Sequence, residues 1–176
     1  MDSELYALGE QVGAALKNTK LVLTTAESCT GGWIGEVVTM IAGSSAWYDR
    51  GFITYTNAAK QQMLGVKAIT LREHGAVSEP VVREMATGAL AASSAQIAVS
   101  VSGVAGPTGG TPGKPVGTVW IAWGNAGNIR ARELYFPLAR KLFQTMVAAT
   151  ALDLLRRDLL GIEGDPRYLR ERRVPR

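Results

Sequence analysis

The strongest constraint on the fold is a change of hydrophobic period within the first 41 residues. From Ser3 to Asn18, Leu5, Leu8, Val12, Ala15 and Leu16 recur at helical spacing. Lys20 to Ala26 then reads as a short β-rich run, broken by Ser28-Cys29-Thr30-Gly31-Gly32, and Trp33 to Ile41 returns to a helical pattern. Helix, strand, tight loop and helix in that order imply helices layered on a sheet.

The alternation continues. Arg50 to Thr56 reads as a second strand, with Asn57 placed to cap a helix through Leu64. A helix containing Leu71 and Arg72 ends at His74-Gly75, and Ser78 caps a longer one through Val81, Met85 and Leu90. Gln96 to Ser102 alternates Ile97, Val99 and Val101 with the small Ala98 and Ser100, the pattern of a buried strand. Residues 103–115 hold five glycines and three prolines, too many for a helix or a strand. Val116 to Trp123 and Ile129 to Phe136 form a hairpin around Gly124-Asn125-Ala126-Gly127, and a helix from Leu138 to Leu160 closes the pattern. With no repeat and no linker before Gly161, the reading is one domain over 1–161, a three-layer α/β/α sandwich on a mixed, mostly parallel sheet, followed by a basic tail at 162–176.

Composition narrows the function. At 176 residues, 47% hydrophobic and 19% charged, the chain can bury one domain-sized core. No apolar run approaches the ~20 residues of a membrane span, and Asp2, Glu4 and Glu10 stand where a signal peptide carries positive charge. A single cysteine, Cys29, excludes an internal disulfide and a cysteine-based zinc site. The expectation is a soluble cytoplasmic protein without membrane partners. The formal charge of +4 belongs to Arg167, Arg170, Arg172, Arg173 and Arg176 in the tail, because residues 1–165 carry fourteen basic and fourteen acidic residues. A neutral body with six dispersed lysines argues against nucleic acid as a partner.

With one histidine, the Ser-His-Asp, Cys-His and two-histidine metal devices all depend on His74, which reads as an ordinary C-terminal helix residue. Any hydrolytic nucleophile must be activated differently. The loop from Thr25 to Gly32 sits where ligands bind in open α/β sheets, beyond a strand's carboxyl end and at a helix start. There Ser28 could attack a carbonyl whose oxyanion meets free N–H groups around Thr30, Gly31 and Gly32. The pattern by itself favours a plain N-cap role for Ser28 or Thr30. Cys29 is the rival nucleophile and reads as packing. The 103–115 loop matches no phosphate motif, since Pro115 follows Lys114 where a P-loop needs Ser or Thr, yet loops of this length inside compact domains are usually functional. Tyr55, placed at the end of the second strand, and Lys60, in the first turn of the next helix, can face the same crevice. Lysine acts as a base there only if burial lowers its pKa.

The blocks A-E-S-C-T-G-G at 26–32, G-S-S-A-W-Y at 43–48, G-F-I-T-Y-T-N-A-A-K-Q at 51–61, L-G-V at 64–66, G-A-V-S-E-P-V-V at 75–82, S-G-V-A-G-P at 102–107 and K-P-V-G-T-V-W at 114–120 resemble, in order, the CinA C-terminal domain family. Free-standing members of that family are nicotinamide-nucleotide amidohydrolases. The resemblance implies deamidation of nicotinamide mononucleotide to nicotinic acid mononucleotide and ammonia, in pyridine nucleotide recycling, with no cofactor and no metal. It implies Ser28 as nucleophile with Lys60 and Tyr55 moving its proton, and Thr30, Gly31, Gly32, Asn57, Ser102, Gly103, Gly106, Pro107, Thr108, Gly109 and Arg140 around the nucleotide. Family members commonly read G-D-R and then V-R where this chain has Leu138-Ala139-Arg140 and then Phe143-Gln144. The loss of a second arginine there leaves a second reading, a catalytically silent nucleotide-binding module. Trp33, Trp47, Tyr48 and Trp120 exceed what a small core needs, and part of this set is expected at a homo-oligomer interface.

Overall fold

The computed structural model describes residues 2–166; the five arginines of 167–176 lie outside the described residues. Helix α1 (Asp2–Thr19) precedes β1 (Leu23–Glu27), α2 (Trp33–Thr39), a 3₁₀ turn (Ser44–Ala46) and β2 (Tyr48–Ile53). Helices α3 (Asn57–Leu64), α4 (Ala68–His74) and α5 (Glu79–Ala91) lead to β3 (Ile97–Gly103), the hairpin β4 (Thr118–Asn125) and β5 (Asn128–Tyr135), and α6 (Arg140–Leu160). The sheet order is β2-β1-β3-β4-β5. β1 pairs in parallel with β2 and β3, while β4 runs antiparallel to both β3 and β5, so four of the five strands share one direction.

The two faces of the sheet differ in side-chain size. Leu23, Val99, Val101, Val119, Ile121 and Trp123 form a large core with α1, α2 and α6. The opposite face is built from Ala26, Ala98, Ser100 and Ala122, and its small side chains let α5 come close. Ser100 Oγ donates to Val82 O at 2.6 Å across that contact. On the outer side of α5, a Cβ on Gly88 would overlap the carbonyl oxygen of Leu64, so α5 and the end of α3 pack backbone to backbone.

Three details differ from the sequence reading. β2 ends at Ile53, so Tyr55 lies in the connection to α3 and not on the strand. The N-cap of α3 is Thr56, whose side chain accepts from Ala59 N, and Asn57 is the first helical residue. Beyond Gly161, Ile162 N donates to Arg157 O and Asp165 pairs with Arg132 at 2.5 Å, so the first residues of the expected tail return to β5. Trp47 is spent in the core at 1% exposure, whereas Trp33, Tyr48 and Trp120 are partly buried against the two cores. Among the described residues, no helix is long and apolar enough to cross a membrane.

Candidate active site

Parallel β1, β2 and β3 send their carboxyl ends to one edge of the sheet, where the loops 28–32, 54–56 and 104–117 converge. In α/β sheets that edge is where ligands bind. Helix α2 begins behind Gly32, which adopts φ 105° and brings no side-chain cap. The orphan N–H groups of α2 are satisfied from upstream. Glu27 Oε1 accepts from Thr30 Oγ1 at 2.5 Å and Ile34 N at 2.9 Å, and Oε2 accepts from Gly35 N at 3.0 Å. Gly31 N donates to Ser28 O and Trp33 N to Thr30 O. Neither Ser28 nor Thr30 caps the helix through its side chain, and of the three N–H groups expected to face substrate, that of Gly31 is spent on Ser28 O.

Ser28, 8% exposed, leaves β1 on the face opposite the Glu27 carboxylate. Lys60 Nζ donates to Ser28 Oγ at 2.9 Å and to Thr54 O at 2.8 Å. At 1% exposure and with no carboxylate partner among the described residues, the amine is poorly solvated, and burial pulls its pKa from 10.5 down to about 8. Burial acts oppositely on the neighbouring thiol: Cys29 is pushed up to about 12, with the Glu27 charge adding to the effect. A thiol held protonated is a poor nucleophile, so the packing role read for Cys29 agrees with its surroundings.

A cavity of about 320 Å³ opens from this pair. It brings together Ser28, Tyr55, Asn57, Lys60, Ser102, Gly103, Gly106, Thr108, Gly109 and Arg140, with Ala76, Val77, Val104 and Ala105 as an apolar wall. Thr30, Gly31, Gly32 and Pro107 are not among its lining residues. Thr30 is turned to Glu27, and Gly32 lies against the Ile53 side chain. Tyr55, 57% exposed, accepts from Arg140 Nη2 at 2.8 Å; among the described residues no hydrogen bond joins it to Ser28 or Lys60. Two contributors escaped the sequence reading. Glu27 has no spacing rule that announces a cap seven and eight residues ahead, and Gln144 Nε2 reaches Cys29 O at 2.9 Å across 115 residues. Among the described residues, no cluster of three or more His, Cys, Asp or Glu side chains could hold a metal ion.

A serine–lysine pair at the carboxyl edge of a three-layer α/β sheet defines a class of α/β proteins with a histidine-free candidate site. Residues 5–159 match the CinA C-terminal domain, and the chain belongs to that family. It is 66% identical over 102 residues to the nicotinamide-nucleotide amidohydrolase PncC of Escherichia coli K12, covering 58% of this chain and 62% of that protein. The match thus spans about three fifths of that relative's length. PncC of Pseudomonas putida is 47% identical over 149 residues, 85% of this chain and 93% of the relative. The fold superposes on the crystal structure of the competence damage-inducible protein A of Klebsiella pneumoniae MGH 78578 with a TM-score of 0.87 at 40% identity, covering 90% and 99% of the two chains. Against the competence/damage inducible protein CihA of Agrobacterium tumefaciens the TM-score is 0.83 at 44% identity, covering 88% and 94%.

Proposed function

We propose that this chain hydrolyses the carboxamide of nicotinamide mononucleotide to nicotinic acid mononucleotide and ammonia, as a cytoplasmic homo-oligomer serving pyridine nucleotide recycling. The observation that carries the reading is the buried 2.9 Å contact between Lys60 Nζ and Ser28 Oγ at the floor of a cavity sized for a small ligand. The named activity of the PncC relatives supports the substrate.

In the neutral amine, one N–H stays on Thr54 O, which turns the lone pair toward the Ser28 hydroxyl. Ser28 Oγ attacks the carboxamide carbon as its proton passes to Lys60 Nζ. Lys60 then protonates the leaving nitrogen, and the C–N bond breaks to give ammonia and an acyl-serine. Water, losing its proton to Lys60, attacks the acyl carbon, and the ester C–O bond breaks as Lys60 returns that proton to Ser28 Oγ, which releases the acid and restores the free serine and neutral amine. With a pKa of about 8, roughly one lysine in ten is neutral at pH 7, enough to serve as base.

Arg140 completes the pocket. Its guanidinium donates to Gly106 O at 2.7 Å and to the Tyr55 hydroxyl, both neutral acceptors, so its positive charge is available to a substrate phosphate. Asn57, Ser102, Gly103, Thr108 and Gly109 line the space between Arg140 and Ser28. Gln144 favours the second reading, a silent binding module, because its amide is spent on Cys29 O and brings no charge. Ammonia release from nicotinamide mononucleotide by the purified protein decides: release at enzymatic rates supports hydrolysis, and tight binding without release leaves the silent module.

A further inference from the structure

We infer that Glu27 is a positioning residue for the nucleophile, the member of a closed ring of contacts that holds both Ser28 and Lys60 in register. The inference rests on the reading of Ser28 as nucleophile. Glu27 is 2% exposed, and its two carboxylate oxygens span the nucleophile turn: one contact lies inside it, at Thr30 Oγ1, and two lie beyond it, at Ile34 N and Gly35 N. Its main chain works on the other partner. Glu27 O accepts from Thr54 N at 2.8 Å, and Thr54 O in turn accepts from Lys60 Nζ at 2.8 Å. The path from Ser28 through Glu27, Thr54 and Lys60 back to Ser28 is therefore closed by one covalent step and three hydrogen bonds.

An ordinary helix cap needs only a short side chain at the cap position. Here that position is Gly32, which has none, and the capping oxygen comes from the residue that precedes the serine. A carboxylate supplies two oxygens for three donors; an amide supplies one and turns an N–H₂ group toward a donor. Glu27→Gln keeps shape and loses that match, so the turn can relax and Ser28 Oγ can leave its line to Lys60.

The test reads nucleophile reactivity apart from substrate. A fluorophosphonate probe labels an activated serine: the Oγ–P bond forms, the P–F bond breaks, fluoride leaves and the hydroxyl proton passes to Lys60. Labelling at Ser28, located by mass spectrometry, is timed in wild type, Glu27→Gln and Thr30→Val, alongside kcat and KM for nicotinamide mononucleotide. The expected result is a fall in labelling rate and kcat of about a hundredfold in Glu27→Gln and about tenfold in Thr30→Val, since small misplacement of a reacting group is costly. KM should stay within about twofold, because the phosphate and loop contacts lie on other segments. Near wild-type labelling in folded Glu27→Gln overturns the inference, as does a parallel loss of labelling, KM and thermal midpoint. Should Glu27→Gln fail to fold, Thr30→Val decides by the same two criteria. A wild type labelled at Ser28 that releases no ammonia refutes the proposed substrate only, and the labelling ratio still judges Glu27; a wild type unlabelled at Ser28 overturns the inference itself.

Discussion

The hydroxyl of Tyr55 accepts a hydrogen bond from Nη2 of Arg140 at 2.8 Å, joining the segment after β2 to the first residue of α6, 85 positions later. The same guanidinium holds Gly106 O, so one side chain ties together three walls of the cavity. This contact assigns the phenol to the cavity wall, whereas the family resemblance implies a role in moving the proton of Ser28.

Tyr55→Phe tests the two roles against each other. Losing one hydrogen bond to a charged donor costs about 1.5–3 kcal/mol at most, and here part of it is recovered from water because the phenol is exposed. KM should rise roughly threefold to tenfold with kcat within about threefold of wild type. Steady-state ammonia release checks this; a kcat reduced a hundredfold or more would return the phenol to the proton path.

Ser28→Ala should abolish hydrolysis and leave nucleotide affinity almost unchanged, because the hydroxyl contributes chiefly in the transition state. Calorimetric titration with nicotinamide mononucleotide and an ammonia assay on the same sample separate the two. Cys29→Ser should cost little, since the thiol is held protonated and packed. Complete inactivation of Cys29→Ser would exchange the roles of the two residues.

The pH dependence follows from Lys60. With its pKa near 8, the rate should climb about tenfold per pH unit below that value and level off above it. Lys60→Arg, which cannot deprotonate, should lose activity across the whole range. The sign for stability is the same. The native state holds fewer protons than the unfolded chain between pH 8 and 10.5, so stability from this site rises with pH through that window and the penalty is full below it. Relative to Lys60→Met, wild type should therefore gain about 3 kcal/mol between pH 7 and 10.5. Urea unfolding of both proteins at the two pH values measures the difference; a constant difference would mean that burial does not lower this pKa.

Gly88→Ala should destabilise the fold by about 3 kcal/mol, well above the usual helix-propensity gain of such a change. The added Cβ runs into the Leu64 carbonyl, a backbone atom that cannot rotate away. A thermal midpoint equal to or above wild type would show that α5 can withdraw from α3 at no cost.

The partly buried Trp33, Tyr48 and Trp120 make self-association the expected state in solution. Light scattering across a concentration series should give a mass at least twice that of the chain; a monomer at the highest concentration would end the expectation.

Much of this architecture was legible residue by residue. The helical spacing of Leu5, Val12 and Leu16, the alternation of Ile97, Val99 and Val101, and the connection around Gly124-Asn125-Ala126-Gly127, which the structure narrows to Ala126-Gly127, each depend on neighbours within a few positions, and each element formed within a few residues of its expected place. Ser28 and Lys60 were also legible as a candidate pair, because both follow strands whose carboxyl ends must lie together once the sheet is parallel.

What the chain by itself determined, then, was the set of elements and the small side chains of β3, both consequences of local period, while Ser28 and Lys60 stood out as candidates through their place after strands and through the family resemblance. Tertiary structure alone decided which donors were already spent, which donor Tyr55 meets, which acceptor Gln144 serves, and how far the lysine pKa falls. Glu27 withdraws the α2 amides, Arg140 claims Tyr55 and Gln144 claims the Cys29 carbonyl over separations of up to 115 residues. The physical reason is that hydrogen-bond satisfaction and desolvation depend on what is packed within a few ångströms, and a pKa moves from 10.5 to about 8 only when distant segments close around the amine and exclude water.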